Sequence, residues 1–329
     1  MNQGRTTNGQ GQEAITGPPF VAWFTGLVSL VCLIMPLAHA EDDARLIHLM
    51  LSSEGGHYRA FESGFIEAAD ESLLERLRVH TGTQNFPDPE SKGDNAYWVA
   101  VGMKALHWNL SEHEEAILAT MVPALSLNRL LEAHPDRHIS GLYIDQPPLR
   151  HLHLISQVLP EATRVGIITA PDESALRAMF DEEAEKSDLL LIHHQASDRD
   201  SLITSVRTFS READVLLLPP SHITQDARNL RALLLQSFRG NLPVFSYSPG
   251  LVSAGSLMAA HTIPRRLGEE TAEKLMALRG STGQDWPDPV YPAHFEISTN
   301  REVGRSLNVR IPPRETLFQS LQELDSPDH

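Results

Sequence analysis

The chain has 329 residues, enough for one large or two medium domains. With 41% hydrophobic and 21% charged residues it has the composition of a soluble globular protein. A formal net charge of -16 excludes a broad nucleic-acid-binding surface, which needs clustered Lys and Arg, but leaves room for an anionic ligand held locally by a helix N-terminus.

The first element in the chain is a targeting segment. Phe20 to Met35 is apolar and uncharged, Pro36 follows, and Ala38-His39-Ala40 has the A-x-A cleavage pattern ahead of the acidic Glu41-Asp42-Asp43. The apolar run is shorter than the roughly 20 residues that a spanning helix needs. Residues 1–40 therefore read as a cleaved secretory signal peptide, with Arg5 as its one basic residue, and the mature chain as periplasmic. The single cysteine, Cys32, lies inside that run, preceded by Val31 where lipid attachment wants a small residue. Cleavage leaves a mature chain without thiols, which suits an oxidising compartment and excludes a cysteine metal site.

The mature part alternates strand and helix patterns. Arg45 to Leu51 reads as a buried strand and 52–56 as a loop. His57 to Ala69 has helical spacing, with Phe61, Phe65 and Ala69 every fourth residue. Leu73 to His80 reads as a second strand, 81–95 as a loop, and Ala96 to Leu106 as a helix. Ala116 to Val122 is a strand, Pro123 to Ala133 a helix, and Ser140 to Ile144 a strand. Further on, strands at Arg164 to Thr169, Leu189 to His193, Val215 to Leu218 and Pro243 to Tyr247 recur after about 25 to 28 residues, one βα unit each. Helices fill the gaps near 173–186, 199–212 and 225–239, with Gly240 as a C-cap. A helix over Arg265 to Arg279 precedes a Pro- and Gly-rich connector at 281–292, then a strand (293–297) and a helix (301–307). Uninterrupted apolar strands alternating with amphipathic helices imply parallel sheets covered on both faces. The fold class is α/β, with two Rossmann-like lobes joined near Pro147-Pro148.

In such sheets ligands bind beyond the carboxyl ends of the strands. That rule selects the candidate ligand-binding residues. Ser52, Ser53, Glu54, His57 and Tyr58 surround a Gly-Gly pair ahead of a helix, where free N–H groups suit an anionic group and Glu54 suits an ammonium. Ser52 and Ser53 also read as helix caps. Asp172 and Ser174 follow a strand and open a helix, with Asp172 also readable as its N-cap. Ser221 and His222 occupy the next strand end, and Tyr247 and Ser248 the one after, where Tyr247 can stack on a ring. Asp145 and Gln146 lie where the chain passes between lobes, as ligand contacts or hinge residues.

The 16 histidines include three close pairs. His151 and His153 point about 200° apart on a helix, and Pro135 interrupts the His134–His138 spacing. With His193–His194, these pairs read as surface or core residues, so no metal and no cofactor are expected. Tyr247-Ser248-Pro249-Gly250 lacks the G-x-S-x-G frame of a nucleophile elbow, and His113-Glu114-Glu115 lacks the second histidine of a zinc protease. No catalytic residue is assigned, and the chain is read as no enzyme.

Several stretches, in order, carry a family resemblance: Ile139–Leu142 (ISGL), Leu154–Pro160 (LISQVLP), Arg164–Ile167 (RVGI), Leu242–Ser246 (LPVFS), Gly250–Gly255 (GLVSAG), Leu267–Gly268 with Ala272 and Leu275, and Ile297–Pro313 (ISTNREVGRSLNVRIPP). They resemble the extracellular substrate-binding proteins of ABC transporters, in the group typified by tryptophan- and tyrosine-binding members. The resemblance implies a type I periplasmic-binding fold with three passages between lobes. It assigns 44–147 and 251–283 to lobe one, and 148–250 and 284–329 to lobe two. It also implies a small-molecule ligand captured between the lobes, with an ABC permease or another envelope membrane protein as partner. Two departures stand out. No P-I-V-F-type strand lies between Ala133 and His138, so lobe one is expected to be shortened or reshaped. Leu218-Pro219-Pro220-Ser221 stands where family members place Asp or Asn. These departures motivate the alternative of a degenerate binding protein acting as an envelope sensor or protein-interaction module.

Overall fold

The computed structural model describes residues 45–87, 96–281 and 283–324. The leader expected over 1–40, with Cys32, lies outside the described residues, as does part of the loop expected over 81–95.

The first sheet is built from β1 (Leu46–Leu51), β2 (Leu77–Thr81), β3 (Ala96–Val101), β4 (Ile117–Val122) and β5 (Ile139–Tyr143), in the order β2-β1-β3-β4-β5 and all parallel. Helices α1 (Gly56–Ala68), α2 (Glu71–Arg76), α3 (Met103–Glu112) and α4 (Ala124–Ala133) connect these strands. The second sheet contains β6 (Arg164–Thr169), β7 (Leu190–Gln195), β8 (Val215–Leu217), β9 (Val244–Ser246), β10 (Met258–His261) and β11 (Glu296–Thr299), in the order β11-β10-β9-β8-β6-β7. Only the β10–β11 pair is antiparallel. Its helices are α5 (Pro148–Val158), α6 (Ser174–Ala184), α7 (Arg199–Glu212), α8 (His222–Gln225), α9 (Ala227–Arg239), α10 (Pro249–Ala254), α12 (Arg301–Ser306) and α13 (Arg314–Glu323). The remaining helix, α11 (Pro264–Leu278), packs on α1 of the first lobe. Each sheet has a core on both faces, the reason its strands read as continuous apolar runs.

The expected helix over Ala96 to Leu106 is instead a strand followed by a helix. All six residues of β3 are buried: Tyr97, Val99 and Val101 enter one core and Ala96, Trp98 and Ala100 the other. A short run that is apolar on every side carries no period to separate helix from central strand. The break falls at Gly102, whose φ of 86° no side chain adopts comfortably. Likewise, the strand expected over Leu73 to His80 splits. Asp70 accepts from the Leu73 N–H at 2.8 Å and caps α2, and the strand starts only at Leu77.

The first lobe keeps a complete parallel sheet. Its sheet has five strands, and β4, already readable over 116–122, stands beside β5. The chain passes between the sheets at 144–147, at 262–263 and in the connector before β11. The second passage is later than the 250/251 boundary expected, because β10 pairs with β9 and β11 and so belongs to the second sheet. The third is also later than 283/284. Val290 donates its N–H to Gly141 and accepts from Tyr143, lying against β5 as an added bridge. Close helix packing sets the α1–α11 contact: a Cβ on Gly268 would lie 2.1 Å from the Phe61 carbonyl oxygen.

Candidate functional site

At the end of β1, Ser52 is buried and fully engaged. Its hydroxyl donates to the Val101 carbonyl at 2.7 Å and accepts from the Ala105 N–H at 2.9 Å, tying β1 and β3 to the start of α3. It caps a helix, but α3 rather than the α1 that follows it in sequence. Tyr58 places its hydroxyl next to the Ser52 hydroxyl over Gly102, where a Cβ would lie 2.6 Å from one and 2.8 Å from the other. Ser53, Glu54 and His57 are exposed, and Ser53 accepts only from the Gly55 N–H at 3.2 Å. The start of α1 has no side-chain cap.

In the second lobe, the expected cap Asp172 is exposed and does not cap α6. Its neighbour Glu173, which the sequence reading passed over, is the organising residue. The Glu173 carboxylate accepts from the Ala170 N–H at 2.8 Å, the His222 N–H at 2.9 Å and the Ser221 hydroxyl. It thereby joins the ends of β6 and β8 and satisfies three donors there. His222 Nδ1 lies 3.0 Å from Glu173 and its Nε2 3.7 Å from Asp172. Ser221 is fully buried in this arrangement, and Ser174 is exposed. The signal available in sequence was Glu173 itself, an acid directly beyond a strand and opposite a Pro-Pro-Ser turn. Ser248 caps α10 by accepting from the Leu251 N–H at 3.3 Å.

The passages between the lobes bring the remaining candidates together. Asp145, two residues beyond β5, accepts from the Ala124 N–H at 2.7 Å and so caps α4, whose N-cap position is Pro123. Burial pushes its carboxyl up to about 6 against that one hydrogen bond. Tyr247, at the end of β9, is half-buried; burial and then the Asp145 charge raise its hydroxyl above the ordinary value. Tyr291, from the third passage, feels the same two effects in the same order, and its ring packs on Tyr143 with centroids 4.9 Å apart. Tyr143 in turn donates to Asn128 at 2.8 Å. Tyr291 was not among the sequence candidates, because it sits in a Pro-rich connector that no strand-end rule selects.

Gln146 links two of the passages. Its amide donates to the Thr262 hydroxyl at 2.6 Å, linking the first passage to the second, and its oxygen accepts from Arg150. The Arg150 guanidinium lies 4.4 Å from the Phe295 ring centroid, so the third passage joins the same network.

The histidine pairs are separated by their elements. His153 bonds Ser320 at 2.7 Å while His151 is buried on α5. On β7, His193 meets Asp181 at 2.6 Å and His194 packs on Phe209.

A protein-family profile described as "ABC transporter substrate binding protein" matches residues 121–316, more than half of the chain. No curated protein matches the sequence. Among solved structures, the chain is similar to the ligand-free, open structure of a substrate binding protein with adhesive properties from Clostridium difficile, with a TM-score of 0.67, 18% identity, and coverage of 82% of this chain and 97% of that one. A conserved domain protein from Vibrio cholerae matches at a TM-score of 0.56 and 16% identity over 84% of this chain and 98% of that one. An ABC domain from Streptococcus pneumonia in complex with L-Trp matches at a TM-score of 0.55 and 14% identity over 83% and 98%. At these identities the likeness is one of fold: two α/β lobes of the type I periplasmic-binding kind.

Proposed function

Because the chain belongs to the ABC transporter substrate binding protein family, we propose that it is a secreted, non-catalytic protein that captures a small ligand between its two lobes for an ABC-type importer. The observation that carries this reading is the convergence at the passages. Gln146 of the first passage bonds Thr262 of the second and accepts from Arg150, which lies against Phe295 just before β11, while the Asp145 charge acts on Tyr247 and Tyr291. A ligand seated there touches elements that move relative to one another when lobes close, and its binding energy is then available to shift the open–closed equilibrium. The leader pattern over Phe20 to Ala40 supports delivery to the periplasm, where such a protein meets its permease.

A thermal-shift screen of the mature protein against amino acids, nucleosides, amines and carboxylates tests the proposal. A specific ligand at a hundredfold excess over Kd stabilises the native state by about 2.7 kcal/mol. Variants at Tyr247 and Tyr291 should lose that shift while folding normally. A screen in which no small molecule stabilises the protein, or in which the stabilisation survives both variants, removes capture between the lobes.

A further inference from the structure

The chain carries a formal net charge of -16, so a surface of the opposite sign calls for a reason. One lies on the side of the second lobe. Helices α7 and α9 pack side by side on the same face of the second sheet: Leu202, Val206 and Phe209 of α7 and Leu233 and Leu234 of α9 enter one core with Ile168 and Val244. The contact is close, for a Cβ on Gly240 would lie 2.1 Å from the Ser210 hydroxyl oxygen. With their apolar sides turned inward, the outer sides of the two helices form one continuous surface. Together they hold six arginines, Arg199, Arg207, Arg211, Arg228, Arg231 and Arg239, against two acids, Asp200 and Glu212, a net of +4. All six arginines are exposed. Two further acids, Asp198 and Asp226, cap the helix N-termini. Arg228 pairs with Asp226 at 3.5 Å, and the other five arginines meet no carboxylate among the described residues.

Two large apolar side chains project among these charges. Spacings of three, four and three place Arg228, Arg231, Leu235 and Phe238 on the outward side of α9, away from the buried Leu233, Leu234 and Ser237. Leu235 is 50% exposed and Phe238 46%. Arginine in a last helical turn complements the helix dipole, which accounts for Arg211 and Arg239. It does not account for Arg207, Arg228 and Arg231, nor for exposed Leu and Phe beside them. Both helices begin beyond the carboxyl ends of the strands before them and run back along the sheet. Arg207, Arg211, Leu235, Phe238 and Arg239 therefore lie at the end remote from the three passages. The outer sides of two packed helices are convex, which suits a flat partner rather than an extended peptide. Arginine mixed with projecting Leu and Phe is the chemistry of a helical surface that lies on an anionic bilayer.

We propose that the outer face of α7 and α9 docks on an anionic phospholipid surface, with the guanidinium groups on lipid phosphates and Leu235 and Phe238 entering the headgroup layer. A guanidinium matches a phosphate with two parallel N–H donors, and the two apolar side chains leave water on contact. Docked by this face, the second lobe lies on its side and the passages stay open to solvent. The contact does not depend on what binds between the lobes.

Vesicle co-sedimentation of the mature chain tests the contact, with equimolar phosphatidylglycerol and phosphatidylcholine against phosphatidylcholine alone. The anionic vesicles should bind it at least about tenfold more tightly at low salt. That preference should fade as salt shortens the Debye length from about 10 Å at 0.1 M to about 3 Å at 1 M. Arg207→Gln with Arg231→Gln, one change on each helix, should weaken binding about twentyfold, or about fivefold for each guanidinium lost. Leu235→Ser with Phe238→Ser should weaken it several-fold and leave the salt dependence in place. Arg301→Gln with Arg305→Gln, an exposed pair on α12 of the same lobe, should leave it unchanged. The substituted side chains are exposed, so near-ultraviolet circular dichroism should show native folds. If a double variant misfolds, Arg231→Gln alone gives the same reading at about fivefold. Equal binding to both kinds of vesicle, or a loss in the α12 pair as large as in the α7 and α9 pair, would overturn the proposal. So would failure to bind anionic vesicles by a chain that binds polyglutamate through Arg207 and Arg231, which would assign the face to an acidic protein.

Discussion

Two places in this molecule carry polar side chains beyond strand ends, and they behave oppositely. Around Glu173, each polar group has a partner within the protein: a buried carboxylate receives two backbone N–H groups and a serine hydroxyl, and an exposed histidine covers it. Around Asp145, the carboxylate takes a single backbone hydrogen bond, and its charge raises the hydroxyls of Tyr247 and Tyr291. Position relative to a strand end does not distinguish the two. What distinguishes them is how many hydrogen bonds the protein itself supplies: three close on Glu173, which ties β6 to β8, and one on Asp145.

That contrast predicts where substitutions hurt. Glu173→Ala should cost the most, about 4 kcal/mol in urea unfolding, because it strands the Ala170 and His222 N–H groups and the buried Ser221 hydroxyl. A loss below about 1 kcal/mol would show that the tie is not structural. Next comes acid sensitivity. Burial holds His48 and His151 down at about 4, so both are neutral in the native state and must take up a proton on acidification. The unfolded chain binds those protons first, so stability present above pH 6.5 is lost toward pH 4, by up to about 1.4 kcal/mol per pH unit for His151 and by less for His48, which is more open to solvent screening. Unfolding followed between pH 7 and 5 checks this, and a flat profile would contradict it.

The Asp145 effect is smaller and has the opposite sign. Its carboxyl is raised to about 6, so the empty native state is penalised above that pH and relieved as the pH falls toward 4. Asp145→Asn should therefore stabilise the ligand-free protein by about 1 kcal/mol at pH 8, discounted for its partial exposure, with the gain shrinking between pH 6 and 4. A destabilised variant at pH 8 would mean that the carboxylate is satisfied internally, as Glu173 is. The smallest effect belongs to Ser53→Ala and Ser174→Ala, both exposed, which should change stability by less than about 0.5 kcal/mol.

Much of the architecture was legible from the residues. Apolar runs such as Arg164–Thr169 and Ile117–Val122 became strands, and the helices between them matched their amphipathic spacing. β3 was misread because AYWVAV is buried on both faces and has no period. β10 was missed because its MAAH sequence, with two alanines, favours helix over strand. Of the candidate site residues, Ser52, Ser221 and Ser248 are bonded within the fold and Gln146 to Thr262 of the second passage. Asp172 yielded its expected capping place to none, while Glu173 beside it took the structural role.

The sequence by itself determined the fold class, most βα units of the second lobe and the family, because these depend on local periodicity and on short motifs in a fixed order. Only the tertiary structure decided which polar side chains are satisfied by the protein and which are left open. Those partners lie far apart in the chain: Glu173 with Ser221, Gln146 with Thr262, and Asp145 with Tyr247 and Tyr291. A hydrogen bond or a charge–charge effect between such residues exists only once two sheets and three passages have been brought together, and no window of sequence contains it.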